Sequence, residues 1–297
     1  MWIVVAVVGY FFFSVTGLVD KLILSEVKRP RAYAAVVGIL GLTGVLLAIF
    51  GFEWPRPELL FLCLIAGALY IIGLVPFYKA IQLGQPSRVI SFFGGLLPVF
   101  VLIMSVSSGI EFLRPLQYLA FFIIMIGGYL ITVESRRKKS PYSAYAWSGL
   151  AALLIAGFYF LSKYIFLQTD FLSGFVLMRI GGLGGSLILL FYPGTFHEIY
   201  ADLKAQKSKQ TQRTGGLVLI SQISAALAFI LINYAVSIGK VSLVNALTGT
   251  QFVFLLLLAS FFSKRYPQLK ESIDKKNIFQ KISAIVLIAI GLAILVL

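Results

Sequence analysis

The sequence predicts an all-α integral membrane protein with ten transmembrane helices in two inverted five-helix repeats, residues 1–139 and 140–297. Three observations lead there. The first is composition: 60% of the 297 residues are hydrophobic, 12% are charged, and the mean hydropathy is +0.97. A water-soluble domain of this size needs a polar shell, which so few charges do not supply. With the bilayer as solvent, only helices or a closed barrel satisfy the backbone. The apolar runs are continuous rather than alternating, which selects helices. The second observation is length, since the runs are about 20 residues each, enough to cross a hydrocarbon core. The third is a repeat. Ala80-Ile81-Gln82-Leu83-Gly84-Gln85-Pro86-Ser87-Arg88-Val89 returns as Ala235-Val236-Ser237-Ile238-Gly239-Lys240-Val241-Ser242-Leu243-Val244. Five spans fit in each half, and an odd number makes the second copy enter from the opposite side. Inverted repeats of this kind recur in secondary transporters, with a site between the halves near the midplane.

The first half gives spans over 1–23, 32–51, 58–83, 87–108 and 115–133. The first lacks a positive n-region and a small-residue cleavage pattern after Leu18, so it reads as a retained helix. The second ends at the aromatic turn Phe50-Gly51-Phe52-Glu53-Trp54-Pro55, where Trp belongs at headgroup depth. The third carries Gly73 and Pro76, and the fourth carries Gly94, Gly95 and Pro98. A basic linker, Glu134 to Pro141, follows the fifth. The second half gives 144–167, 170–192, 215–238, 241–263 and 278–297, with His197 to Arg213 as the longest loop. Gly181-Gly182-Leu183-Gly184-Gly185 lies inside the seventh span. It is a small-residue packing signal, and it follows no strand that would make it a phosphate loop.

A formal charge of +14 raises the possibility of nucleic acid, but the basic residues lie in short gaps between apolar runs rather than on a stacking platform. They act as topology determinants. Twenty Lys and Arg fall on one side, including Lys28, Arg29, Arg31, Lys79, Arg88 and Arg136 to Lys139. Arg56, Arg114, Lys163 and Lys240 are the four on the other, and Arg179 is left within a span. The positive-inside rule places the rich side in the cytoplasm and both termini outside, in a multi-pass protein of the cell (inner) membrane. Cys63 is the only cysteine, which excludes an intrachain disulfide and a cysteine-based metal cluster.

The residues resemble the drug/metabolite transporter superfamily, specifically its EamA-type members. The stretch that carries the resemblance reads Tyr78-Lys79-Ala80-Ile81, then Gly94-Gly95-Leu96-Leu97-Pro98-Val99-Phe100. It continues Gly109-Ile110-Glu111-Phe112-Leu113 and ends Gly127-Gly128-Tyr129-Leu130. In the second half Gly249-Thr250-Gln251-Phe252-Val253 stands where the proline stretch was, and Glu271 stands at the turn glutamate after an insertion. The resemblance covers nearly the whole chain, and the second copy is the more diverged. Many ten-helix members are thought to keep both termini in the cytoplasm, opposite to the charge bias here.

Arg179 is the most informative single residue. It follows Asp170 by nine positions, about 14 Å along a helix and so near the middle of a core of about 30 Å. A central Arg costs about 2.5–3.5 kcal/mol on insertion scales and therefore faces a cavity or a partner. Its planar fork suits a substrate carboxylate or phosphate. Structural pairing with carbonyls or a carboxylate, or snorkelling, is the alternative. Asn245, Thr248 and Gln251 share a face of the ninth helix by spacing. With Gln222 and Ser221 on the eighth, and with Asn233, they would line a polar cavity opposite Ser91, Gly94, Gly95 and Pro98. The alternative is helix–helix hydrogen bonding. Tyr78, with Tyr10, Tyr70, Tyr159 and Tyr234, would add amphipathic walls. Pro98, Gly94, Gly95, Gly181 and Gly182 are the flexing and packing positions. Lys163 and its repeat mate Lys21 lie near helix ends, where snorkelling competes with lining a gate.

The function these features imply is a secondary transporter of a small organic metabolite, amino-acid-like or otherwise anionic or zwitterionic, working by alternating access. The absence of a Walker motif removes ATP as the direct energy source. Glu111 and Asp20 are the nearest proton carriers. The expected partners are the small-molecule substrate and the lipid bilayer, with no nucleic acid; proton coupling and a homodimer stay open. Flipping a lipid-linked sugar is the alternative within transport. An intramembrane enzyme is remote, because His197 sits beside Glu198 with no second ligand, so neither a metal nor a cofactor is expected.

Overall fold

The computed structural model describes residues 1–23, 29–84, 86–132, 141–197, 199, 212–263 and 275–296. The basic linker 134–139, most of the polar loop after His197, and Glu271 lie outside the described residues, as do the side chains of Asp20 and Lys21. Everything described in regular structure is helical. The helices are α1 (Trp2–Ile23), α2 (Pro30–Gly41), α3 (Pro57–Leu83), α4 (Pro86–Ser107), α5 (Pro115–Thr132), α6 (Tyr142–Gln168), α7 (Phe171–Phe191), α8 (Gln212–Ile238), α9 (Val241–Ala246), α10 (Thr248–Phe262) and α11 (Lys275–Val296). Nine helical stretches among the described residues are long and apolar enough to cross a membrane, the pattern of a multi-pass membrane protein, and Pro115–Leu130 is apolar but shorter.

The helix starts follow local chemistry. Pro30, Pro57, Pro86 and Pro115 open α2 to α5, where a missing N–H costs nothing and the fixed φ is already helical. Asp170 caps α7, accepting from the Ser173 N–H at 2.9 Å. Burial alone would raise its carboxyl, but hydrogen bonds from Ser173, Leu172 and Thr169 outweigh that and hold it below the usual carboxylate value. Pro76 and Pro98 sit inside α3 and α4 without ending them.

Two spans differ from the continuous helices expected. The second tightens from α2 into a 3₁₀ stretch, Leu42–Phe50. There the chain runs close against Arg179: a side chain at Gly41 would meet its Nη1 at 3.2 Å, and one at Gly44 its Cγ at 3.0 Å. The ninth span breaks at Leu247, where ψ is only −5° and the Thr250 N–H donates back to the Leu247 carbonyl at 2.9 Å.

Packing is arranged in exchanged pairs. α3 packs on α6 and α1 on α8; α4 packs on α6 and α10 on α1; α2 lies on α7 and α5 on α11. One interface breaks the pattern: α3 also packs tightly on α7, with no comparable contact between α8 and α2 among the described residues. Glycines make that seam. A Cβ at Gly67 would strike the Met178 carbonyl, one at Gly181 would strike Leu64, and one at Gly185 would stand 2.9 Å from the Ala68 Cα. Gly182 lies between them, so the glycines of α7 serve close packing here.

Candidate functional site

The centre of the bundle is aromatic. Tyr70 on α3 stacks edge-on against Phe229 on α8 at 5.1 Å and lies 4.9 Å from Phe158 on α6, which is 5.0 Å from Tyr159. Into this wall projects Arg179 from the middle of α7. Its guanidinium carbon sits 3.7 Å from the centre of the Phe229 ring and 5.1 Å from that of Phe175. Cation–π attraction of this kind is worth about 2 kcal/mol when desolvated, which offsets part of the insertion cost without using up the hydrogen-bond donors. No carboxylate is paired with Arg179 among the described residues, and its Nε is buried with no hydrogen-bond partner. Tyr70 and Tyr159 are within electrostatic reach of the guanidinium, and Tyr10 within reach of Tyr159.

Two amides add to this polar inventory. Asn233 and Asn245 are both fully buried. Each amide donates along its own helix, Asn233 to the Phe229 carbonyl and Asn245 to the Val241 carbonyl, both at 2.9 Å. In each the Oδ1 is left without a partner. Asn233 therefore stands one turn from the ring that holds Arg179. Around the break in the ninth span, Thr248 bonds the Asn245 carbonyl at 2.7 Å and the Tyr10 hydroxyl at 3.0 Å, while Tyr10 donates to the Val244 carbonyl at 3.0 Å. The Arg179 Nε and these two amide oxygens are thus buried without a hydrogen-bond partner among the described residues, as is the Thr195 hydroxyl.

The other sequence-predicted residues fall elsewhere. Gln251 is half-buried beyond the helix break, and Gln222 is exposed on the outer side of α8 beside Ile223. Ser91, Gly94 and Gly95 line a separate crevice with Gly128, Gly249 and Phe252, whose volume of about 10 Å³ holds at most a water. Pro98 lies one turn further along α4. Tyr78 packs edge-on against Tyr33 at 4.9 Å, eight residues along α3 from Tyr70. Phe229 and Phe175 were not legible as site residues, because an aromatic in an apolar run carries no mark of what it faces.

Lys163 does not snorkel. It is 8% exposed and donates to the carbonyls of Val236, Ser237 and Gly239 at 3.1, 3.2 and 2.6 Å, capping the C-terminal end of α8. Across the α8–α9 turn, the buried Glu111 carboxylate accepts from the Val241 N–H, from the Ser242 N–H at 3.2 Å and from the Ser242 hydroxyl at 2.6 Å. Lys240 ties the same turn to the Phe112 carbonyl and to Gln117 at 2.7 Å. Glu111 and Lys163 thus clamp two helix ends, Lys163 through backbone carbonyls and Glu111 through backbone N–H groups and the Ser242 hydroxyl.

No family model matches the chain, and no curated protein matches it. Solved structures do: 28 chains match. One of them, described only as a crystal structure of a protein, aligns with a TM-score of 0.69 over 99% of this chain and 96% of its own length, at 14% identity. At that identity the likeness shows the fold, and the fold with this site defines a polytopic helical membrane protein with an aromatic-walled polar centre.

Proposed function

We propose that this protein is a secondary transporter of a small anionic or zwitterionic metabolite, of the EamA type within the drug/metabolite transporter superfamily, built as two inverted five-helix repeats. The observation that carries the reading is Arg179: a guanidinium halfway along a span, held by ring faces rather than by a carboxylate, with its Nε unpartnered. A substrate carboxylate supplies the missing partner. A substrate ammonium or hydroxyl would use the Oδ1 atoms of Asn233 and Asn245, and the rings of Tyr70, Phe158 and Phe229 would cover an apolar body. The exchanged packing of α3 on α6 with α1 on α8, and of α4 on α6 with α10 on α1, supports the repeat. The tight α3–α7 seam, with no comparable α8–α2 contact among the described residues, fits a state in which one of two alternating closures is made.

Purified protein in liposomes loaded with amino acids, nucleosides and sugar phosphates tests this. The wild type releases one anionic or zwitterionic class, and Arg179→Ala does not. Release of nothing, together with exposure of a labelled lipid-linked sugar on the far leaflet, replaces the reading with a flippase.

A further inference from the structure

A second polar feature lies at one end of the bundle, away from Arg179. A cavity of about 310 Å³ opens between the start of α2, the last turns of α3 and the start of α6. Arg29, Arg31, Lys79 and Gln82 line it, together with Val75 and Trp147, and none of the described residues lining it is acidic. The cations are held in place. The Arg31 guanidinium lies over the Tyr192 ring at 3.8 Å, and the Lys79 ammonium donates to the Gln82 amide oxygen at 2.9 Å. Arg31 and Lys79 present like charges to one small cavity, and an anion between them is favoured.

The shape below the charges narrows the choice of anion. Val75 lies one turn deeper than Lys79 on α3. On α6 an exposed apolar track descends from Trp147 through Leu150 to Leu153, at three-residue spacing and 39%, 42% and 41% exposed. Trp at such a position marks headgroup depth. Cations at helix ends above an apolar track match a molecule with a phosphate head and acyl tails; a soluble anion would use only the upper half. The cavity also lies on the side carrying the Lys and Arg excess, which is the leaflet where anionic lipids collect.

We propose that this cavity binds the phosphate headgroup of an anionic phospholipid between Arg29, Arg31 and Lys79, with its acyl chains along Trp147, Leu150 and Leu153. The site is separate from the central one and does not rest on the transport reading.

Native mass spectrometry of the detergent-solubilised protein, offered equimolar phosphatidylglycerol and phosphatidylcholine, tests it. The wild type retains phosphatidylglycerol selectively. Each of Arg29→Gln, Arg31→Gln and Lys79→Gln lowers the preference about fivefold, as one basic contact near a headgroup is worth. The triple variant loses the preference, and the single variants carry the test if the triple does not fold. Arg56→Gln with Arg114→Gln, which removes two charges at the opposite face, keeps it. Millimolar inorganic phosphate and glycerol 3-phosphate leave the lipid in place. Equal retention of the two lipids, an unchanged preference in the Gln variants, or displacement of the lipid by inorganic phosphate overturns the proposal; the last outcome makes this a soluble-anion site.

Discussion

Arg179 and Lys163 are both cations set within apolar spans, and the bundle treats them in opposite ways. Lys163 is surrounded by three carbonyl acceptors at the end of α8, so its charge is spent on tying α6 to the α8–α9 turn. Arg179 is surrounded by ring faces and by glycines that leave it room. Its charge is tolerated but not consumed. Depth in the membrane therefore does not tell how a cation is used; the inventory of its partners is the better guide. The same contrast divides the acceptors. The Glu111 carboxylate is filled by N–H groups and the Ser242 hydroxyl at the start of α9, whereas Asn233 and Asn245 each keep an oxygen in reserve.

The largest effect that follows is a reversal of sign between the two cations. Lys163→Met lowers stability by about 2–3 kcal/mol, because charge-assisted hydrogen bonds are lost and the carbonyls are left buried. Arg179→Met leaves thermal stability in detergent unchanged or raises it, since an unpaired charge is replaced by an apolar chain. Equal losses for both variants would erase the distinction. The next effect concerns what places Arg179. Gly181→Ala drives a methyl into the Leu64 backbone, costs about 1–3 kcal/mol and, on the proposed function, impairs transport. Gly184 faces open space, so Gly184→Ala leaves stability unchanged or raises it by up to about 1 kcal/mol. Thermal unfolding of the pair checks whether the α3–α7 seam holds the site. Tyr10→Phe removes the hydroxyl that joins Val244 to Thr248, at about 1 kcal/mol, and weakens substrate binding more than stability if that corner belongs to the site.

The smallest effect lies at the entrance to α7. Asp170→Ala removes the cap and costs about 1 kcal/mol. Because the folded carboxyl is held below its usual value, its stabilisation is complete above the unfolded pKa of about 3.9 and fades as pH falls through the lower folded value. A wild-type minus Asp170→Ala stability difference that grew toward low pH would contradict that sign.

Most of the helical architecture could be read from the chain, because spans need only length, hydropathy and breaks, all of which are local. Pro30, Pro57, Pro86 and Pro115 mark helix starts within two residues of the spans expected. The break at Leu247 and the tight turn of Leu42–Phe50 were not legible, since neither carries a proline and both depend on what packs against them. Arg179 stood out from charge and depth alone. Its aromatic holder did not, because Phe229 reaches it from a helix 50 residues away. Lys163 shows the reverse problem: a lysine near a helix end reads as snorkelling until the carbonyls of another helix are seen around it. Gln222 was placed by polarity, yet it sits on the exposed side of α8 while its neighbour Ser221 is buried. A helical-face argument turns through 100° for each residue of error.

The central claim is that Arg179 holds the substrate and Lys163 holds the fold. Once the liposome pool has identified a released solute, its equilibrium binding to wild type, Arg179→Met and Lys163→Met tests the claim most directly. The account predicts binding weakened about 100-fold in Arg179→Met, the loss of a charged bidentate contact, at unchanged thermal stability. It predicts near-native affinity in whatever fraction of Lys163→Met remains folded. Native affinity in Arg179→Met, or an affinity lost equally in both variants, would contradict it.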